Sequence, residues 1–139
     1  MRGRYTHTID AKGRIAVPAK MRDELGEKFI AAAVMEPCVC LYTEEGWNAM
    51  LDKLEQLPMT RSRKLLRYLS SNAADVQLDA QGRILLPKHL LTHAKLEKQA
   101  LVIAAGVARA EIWAPEVYES TVGSMTDEQV IADFMALGL

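Results

Sequence analysis

The sequence predicts an α+β fold made by duplication, and three observations carry that prediction. First, residues 9–18, I-D-A-K-G-R-I-A-V-P, return at residues 78–87 as L-D-A-Q-G-R-I-L-L-P. Six of the ten positions are identical, and the aspartates, arginines and prolines all keep an offset of 69 residues. A fixed period marks one supersecondary unit built twice. Second, each copy passes from strand-like alternation through a tight turn to a proline followed by helix-forming sequence. Third, the likeness outlasts the motif. Leu41-Tyr42 and Ile112-Trp113 are matched apolar–aromatic pairs, as are the positions of Trp47 and Tyr118, now at an offset of 71, which implies a two-residue insertion.

The elements follow from local chemistry. Tyr5, His7 and Ile9 alternate with Thr6, Thr8 and Asp10, the period of a strand. Asp10 stands where a type I turn favours a side-chain acceptor, and Gly13 where the backbone turns left-handed. Ile15 and Val17 then share one face of a second strand. Pro18 lacks a backbone donor and suits the first position of a helix over residues 19–25, which Gly26 ends. The second copy repeats this, with Asp79 opening its turn, Gly82 closing it, Ile84 and Leu86 on one face, and Pro87 starting a helix.

Residues 29–34 and 39–43 read as strands, separated by a turn at Glu36-Pro37, with residues 100–105 as the counterpart of the first. Residues 44–57 form an amphipathic helix, because Trp47, Met50, Leu51, Leu54 and Leu57 recur at threes and fours, and Pro58 stops it. Thr60 is the expected N-cap of a second helix reaching Ser70, with Leu65, Leu66 and Leu69 as its stripe. Residues 70–73 read as a polar break. A short helix over residues 115–122 precedes an interruption at Gly123-Ser124. Thr126 with Gln129 then forms a capping-box pattern, opening a last helix whose stripe is Val130, Ile131, Phe134 and Leu137. That helix is expected to dock on its own core or on a neighbouring subunit. The resulting organisation is a repeat over residues 5–47, a helical linker over 48–75, a second repeat over 76–119 and a C-terminal helix over 120–139.

The 139 residues, half hydrophobic and a quarter charged, have the make-up of a globular protein. Each repeat alone is too small for a secure core, so the two are expected to share one as a pseudo-twofold pair. The longest apolar run, residues 100–108, falls well short of the roughly 20 residues that cross a membrane. The opening M-R-G-R-Y-T-H-T has no apolar stretch of the kind an export signal needs. With only two cysteines, a reducing cytoplasm is the expected location.

Net charge is −1, but it is unevenly spread. Arg2, Arg4, Lys12 and Arg14 face only Asp10 within residues 1–14, and Arg61, Arg63, Lys64 and Arg67 face no acid within residues 61–68. Residues 111–139 hold Glu111, Glu116, Glu119, Asp127, Glu128 and Asp133 and no Lys or Arg. The chain is basic at its start and middle and acidic at its end.

With D-x-x-G-R written twice, each followed by an apolar strand and a proline-initiated helix, the chain resembles the MraZ family of bacterial regulators. The resemblance spans the M-R-G start, both motifs, the leucine-rich linker helices and the second repeat. It implies two SpoVT-AbrB-type repeats in a swapped-hairpin β-barrel, a cytoplasmic, nucleoid-associated transcription factor binding double-stranded DNA, and ring-like homo-oligomers. It also implies action on the division and cell-wall gene cluster, without a cofactor.

Arg14 and Arg83 are the leading DNA-binding candidates. An arginine just past a tight turn can reach phosphates or a guanine edge. The alternative is an ion pair with the aspartate four residues back, although an exposed pair adds little stability. Gln81 replaces Lys12, so the second turn carries one cation fewer. Asp10 and Asp79 would be repelled by phosphates and are expected to cap the turns. Gly13 and Gly82 are backbone residues. Lys12, Arg2 and Arg4 are candidate phosphate contacts beside the first hairpin, with plain surface charge as the alternative. The Arg61–Arg67 run is better suited to a solvated face or a subunit salt bridge.

Affinity then needs multiplicity, since each phosphate contact contributes a salt slope of only about −0.9. Linked copies gain avidity of about 10²–10⁴, which favours repeated promoter boxes. Two rival readings remain. A Cys₂His₂ zinc site could be drawn from Cys38, Cys40, His89 and His93, but no Glu follows the first histidine, nothing in the sequence joins the pairs, and no catalytic constellation appears. No metal and no enzyme activity are therefore expected. The other rival is a protein-binding module acting through the acidic C-terminal helix.

Overall fold

The computed structural model describes residues 1–106, 109–123 and 125–139. The first repeat comprises β1 (Arg4–Thr8), β2 (Arg14–Ala16), α1 (Ala19–Leu25), β3 (Lys28–Ala32), β4 (Val39–Tyr42) and α2 (Glu44–Glu55). After α3 (Met59–Asn72), the second comprises β5 (Ala74–Gln77), β6 (Arg83–Leu85), α4 (Lys88–His93), β7 (Gln99–Ala104), β8 (Arg109–Trp113) and α5 (Pro115–Thr121), with α6 (Asp127–Ala136) last. The fold is α+β with antiparallel pairing throughout.

Six strands form one sheet in the order β1-β7-β8-β4-β3-β5, and β2 and β6 form a separate ribbon. Each repeat's first strand thus leaves its own unit: β1 pairs with β7 of the second repeat, and β5 with β3 of the first. The arrangement has an internal twofold. In the ribbon, Ile15 faces Ile84, while Val17 N–H donates to the Gly82 carbonyl and Leu86 N–H to the Gly13 carbonyl, both at 3.0 Å. At the centre of the sheet Cys40 faces Glu111, again equivalent positions.

Strand alternation sends side chains to two cores. One face of the sheet, with Phe29, Ala31, Leu41, Val102 and Ile112, packs with the ribbon and with Met21 and Leu90 of α1 and α4. Both repeats contribute to it, as the small size of each requires. Ile15 and Ile84 are each 1% exposed, and fully burying such a side chain contributes about 1.5–3 kcal/mol. The other face, with Ile30, Cys38, Cys40, Tyr42 and Trp113, is covered by α2, α3 and α5 through Trp47, Leu69 and Tyr118.

Several local expectations need correction. Pro18 and Pro87 lie one place before their helices, at the N-cap with extended backbone. α3 starts directly after Pro58, not at a Thr60 cap, because Arg61 and Ser62 N–H already reach the Pro58 carbonyl at 2.9 and 3.0 Å. Residues 70–72 do not break the helix. Ser71 Oγ and Asn72 Nδ2 donate to the Tyr68 carbonyl at 3.4 and 2.8 Å, and the helix runs on to Asn72. Leu65 is 41% exposed, so the buried stripe of α3 is Ser62 and Leu69. The capping box of α6 is present, with Thr126 and Gln129 exchanging bonds of 2.9 and 3.2 Å. No residue of α6 is buried, so it does not dock on its own core. Of the interruption at Gly123-Ser124, Ser124 lies outside the described residues, as do Val107 and Ala108 of the long apolar run.

Candidate nucleic-acid interface

The two D-x-x-G-R turns have one geometry. In the first, Gly13 N–H donates to the Asp10 carbonyl at 3.0 Å, and Asp10 N–H donates to the Arg14 carbonyl at 3.1 Å. The Asp10 carboxylate accepts from Lys12 N–H and Arg14 N–H at 3.0 and 2.9 Å. In the second, Asp79 accepts from Gln81 N–H and Arg83 N–H at 2.8 and 2.9 Å. Gly13 and Gly82 hold φ of +86° and +76°, a region that a Cβ disfavours. Asp10, Gly13, Asp79 and Gly82 therefore occupy the positions the turn chemistry requires.

The same carboxylates latch the arginines. Arg14 Nε donates to Asp10 at 2.6 Å and Arg83 Nε to Asp79 at 3.1 Å. The ribbon brings the two turns side by side, so that Arg83 also reaches Asp10 at 3.8 Å. Both arginines remain open to solvent, with side chains 36% and 30% exposed. Each thus has its Nε committed to the turn. Asp10 is held below the usual aspartate range, first by the backbone N–H of Arg14 and then by its side chain and the Lys12 N–H, against partial desolvation. Asp79 is lowered in the same way, foremost by the Arg83 N–H. Both stay ionised at neutral pH.

Lys12 is exposed at the first tip. Arg4 is not beside it. Arg4 opens β1 and sits over the Tyr118 ring of the other repeat, 5.7 Å from its centroid. Six residues of strand at about 3.3 Å each put it roughly 20 Å from Asp10, while Arg2 follows Met1, whose amino group pairs with Glu24 of α1 at 2.8 Å.

One cation escaped the sequence reading. A Cβ at Gly82 would overlap the guanidinium of Arg22, which lies across the second turn, whereas a Cβ at Gly13 would meet Leu91 Cδ1 at 3.0 Å. Arg22 and Leu91 are equivalent at the 69-residue offset. The second tip, short of a lysine in its turn, has an arginine laid over it by α1. Comparing positions 22 and 91 beside positions 12 and 81 was the available signal.

The histidines and cysteines do not assemble. His89 Nε2 is 3.0 Å from the Asn72 carbonyl and His93 Nε2 3.0 Å from the Glu36 carbonyl. Cys38 and Cys40 have sulfurs 3.9 Å apart, and with Glu111 they form a buried group of donor atoms within 4.8 Å. Glu111 is already engaged by Trp113 Nε1 at 3.0 Å and Arg109 at 3.3 Å. The bond to Cys40 and burial push the Cys38 thiol up, and both side chains are packed into the core at 0% and 4% exposure.

The comparisons agree with the duplication. The family model described as "MraZ protein, putative antitoxin-like" matches residues 1–67 and again residues 69–134. A protein of Caldanaerobacter subterraneus named "Transcriptional regulator MraZ" is 44% identical over 119 residues, covering 84% of this chain and 82% of its own. Proteins of the same name from Alkaliphilus oremlandii and Ligilactobacillus salivarius are 43% identical over 139 residues and 46% over 121, covering 96% and 85% of this chain and 95% and 83% of theirs. With both halves matched by one model and relatives of this identity along nearly its whole length, the chain belongs to the MraZ family.

Proposed function

We propose that the chain is a DNA-binding transcriptional regulator, not an enzyme, that grips duplex DNA through its paired hairpin tips. One observation carries this reading: the two turns lie together, each presenting an arginine latched at Nε and still partly open to solvent. Such a latch fixes the direction of the guanidinium while leaving terminal nitrogens for phosphate or a base edge, although one of Arg83's also approaches Asp10 at 3.8 Å. Arg14, Arg83 and Lys12 are the contacts. Asp10, Asp79 and the turn glycines hold them, and Arg4, at the opposite end of β1, stands apart from the first tip. The exchange of first strands between repeats supports the swapped-hairpin barrel of SpoVT-AbrB type. The relatives' shared name supports a regulator's role, and family membership supports action on the division and cell-wall cluster within the cytoplasm and nucleoid. Among the described residues no helix is long and apolar enough to cross a membrane.

A near-neutral chain needs several copies to hold DNA firmly, and repeated promoter boxes are the natural target of a ring-like homo-oligomer. Copies join through α6, whose apolar face is flanked by Glu128 and Asp133. It meets a neighbour's α3, where Arg61 and Lys64 flank the exposed Leu65 and Tyr68 on one face. The test of DNA contact is Arg14→Ala in a gel-shift assay on duplex DNA from upstream of the chain's own gene. Binding is expected to fall at least tenfold, with mass and melting temperature nearly unchanged. Full retention of binding would instead favour the protein-binding module.

A further inference from the structure

We infer that Arg22 is a phosphate-binding residue of the second hairpin tip, standing in for the lysine that its turn lacks. This rests on the DNA-binding reading above and adds to it a residue from outside both repeated motifs. Its basis is a comparison the molecule makes with itself. Each tip glycine is roofed by a side chain from the helix of the opposite repeat, Gly13 by Leu91 and Gly82 by Arg22. The two roofs are equivalent positions, so leucine is enough to cover a turn of this shape. Packing therefore explains a side chain at position 22 but not a guanidinium.

Among the described residues the charge at that position has no ion-pair partner, whereas Arg14 and Arg83 are both ion-paired. The Arg22 Nε is buried with no hydrogen-bond partner. An unpaired cationic group that is partly desolvated is unfavourable in the free protein, and an anion at the tip would meet the part of this half-buried side chain that is still open to solvent. The ligand chemistry is that of a phosphodiester: a diffuse anion with several acceptor oxygens, met by Arg22 over Gly82 and by Arg83 at the end of the same turn. With Arg22 counted, the tips are balanced, Lys12 and Arg14 on one and Arg22 and Arg83 on the other. The asymmetry between Lys12 and Gln81 is then made good by α1.

The internal symmetry also supplies the experiment. Arg22→Leu installs the residue that already roofs the first tip, and Leu91→Arg does the reverse. Affinity for duplex DNA from upstream of the chain's own gene is measured across a salt series for both variants, the parent and Arg14→Ala. Arg22→Leu is expected to lower the log–log salt slope by about 0.9 for each second tip engaged, and Leu91→Arg to raise it by a similar amount. A purely structural role would change melting temperature and leave the slope alone. If the slope is unchanged in Arg22→Leu while Arg14→Ala loses binding, the inference about Arg22 is overturned and the DNA-binding reading stands. If Arg14→Ala also binds like the parent, both fall. Should Arg22→Leu not fold, Leu91→Arg decides alone: an unchanged slope overturns the inference.

Discussion

Asp10 accepts hydrogen bonds from two backbone N–H groups and from Arg14 Nε, so it serves the turn and the functional side chain together. Its lowered pKa gives this a pH signature. A carboxylate whose folded pKa lies below the unfolded value adds stability that is fully present above the unfolded value, near 3.8. That stability is lost as pH falls through the lower, folded value. The latch is therefore intact throughout the neutral and mildly acidic range and opens only in strong acid. Asp10→Asn keeps a side-chain oxygen to accept from the Lys12 and Arg14 N–H groups but removes the titrating charge. Its melting temperature is expected to fall less steeply than the parent's as pH drops below about 4. An identical acid limb in both proteins would show that the carboxylate contributes no pH-dependent stability.

Among the elements, the two repeats differ by reversal as well as by drift. Tyr42 meets Trp47 edge-on at 5.7 Å in the first, and Trp113 meets Tyr118 at 5.6 Å in the second. One strand–helix contact is thus kept with its two rings exchanged, which is why the pairs were legible at a common offset although neither position is identical. Trp47 is 8% exposed, and it joins α2 to the sheet. Trp47→Ala is expected to cost about 3–5 kcal/mol in chemical denaturation, and a loss below about 1 kcal/mol would show that α2 is held elsewhere. The inserted residues were legible too, and the structure shows where they went. Gly26 and Glu27 join α1 to β3, whereas residues 94–98 join α4 to β7, with Lys95 at φ +54°. What periodicity could not reveal was the exchange of β1 and β5. Pairing partners distant in sequence leave no trace in the local alternation of either strand. The position of Arg22 over a turn 60 residues away left no local trace either, and only the comparison with Leu91 at the repeat offset could have pointed to it.

For the whole molecule, the unresolved demand is the apolar face of α6. Phe134, Met135 and Leu137 are 51%, 71% and 75% exposed, on a helix that is nonetheless capped at its start. A helix this short is marginal in water without tertiary support, and contiguous exposed apolar surface marks an interaction site. The charge map is the ground for the partner proposed above. α6 carries acids and no bases, and the outer face of α3 carries bases beside exposed Leu65 and Tyr68. A contact between two different patches is head-to-tail, and it gives the proposed ring where the rotation closes on itself and an open filament where it does not. Phe134→Asp puts a charge in the middle of that face. It is expected to reduce the mass measured by sedimentation towards that of one chain, and to weaken binding to a multi-box promoter far more than to a single box. The melting temperature of the diluted chain should hardly move, since no α6 residue is buried within it. An unchanged sedimenting mass would show that copies meet through another surface, and the α6–α3 contact would have to be abandoned.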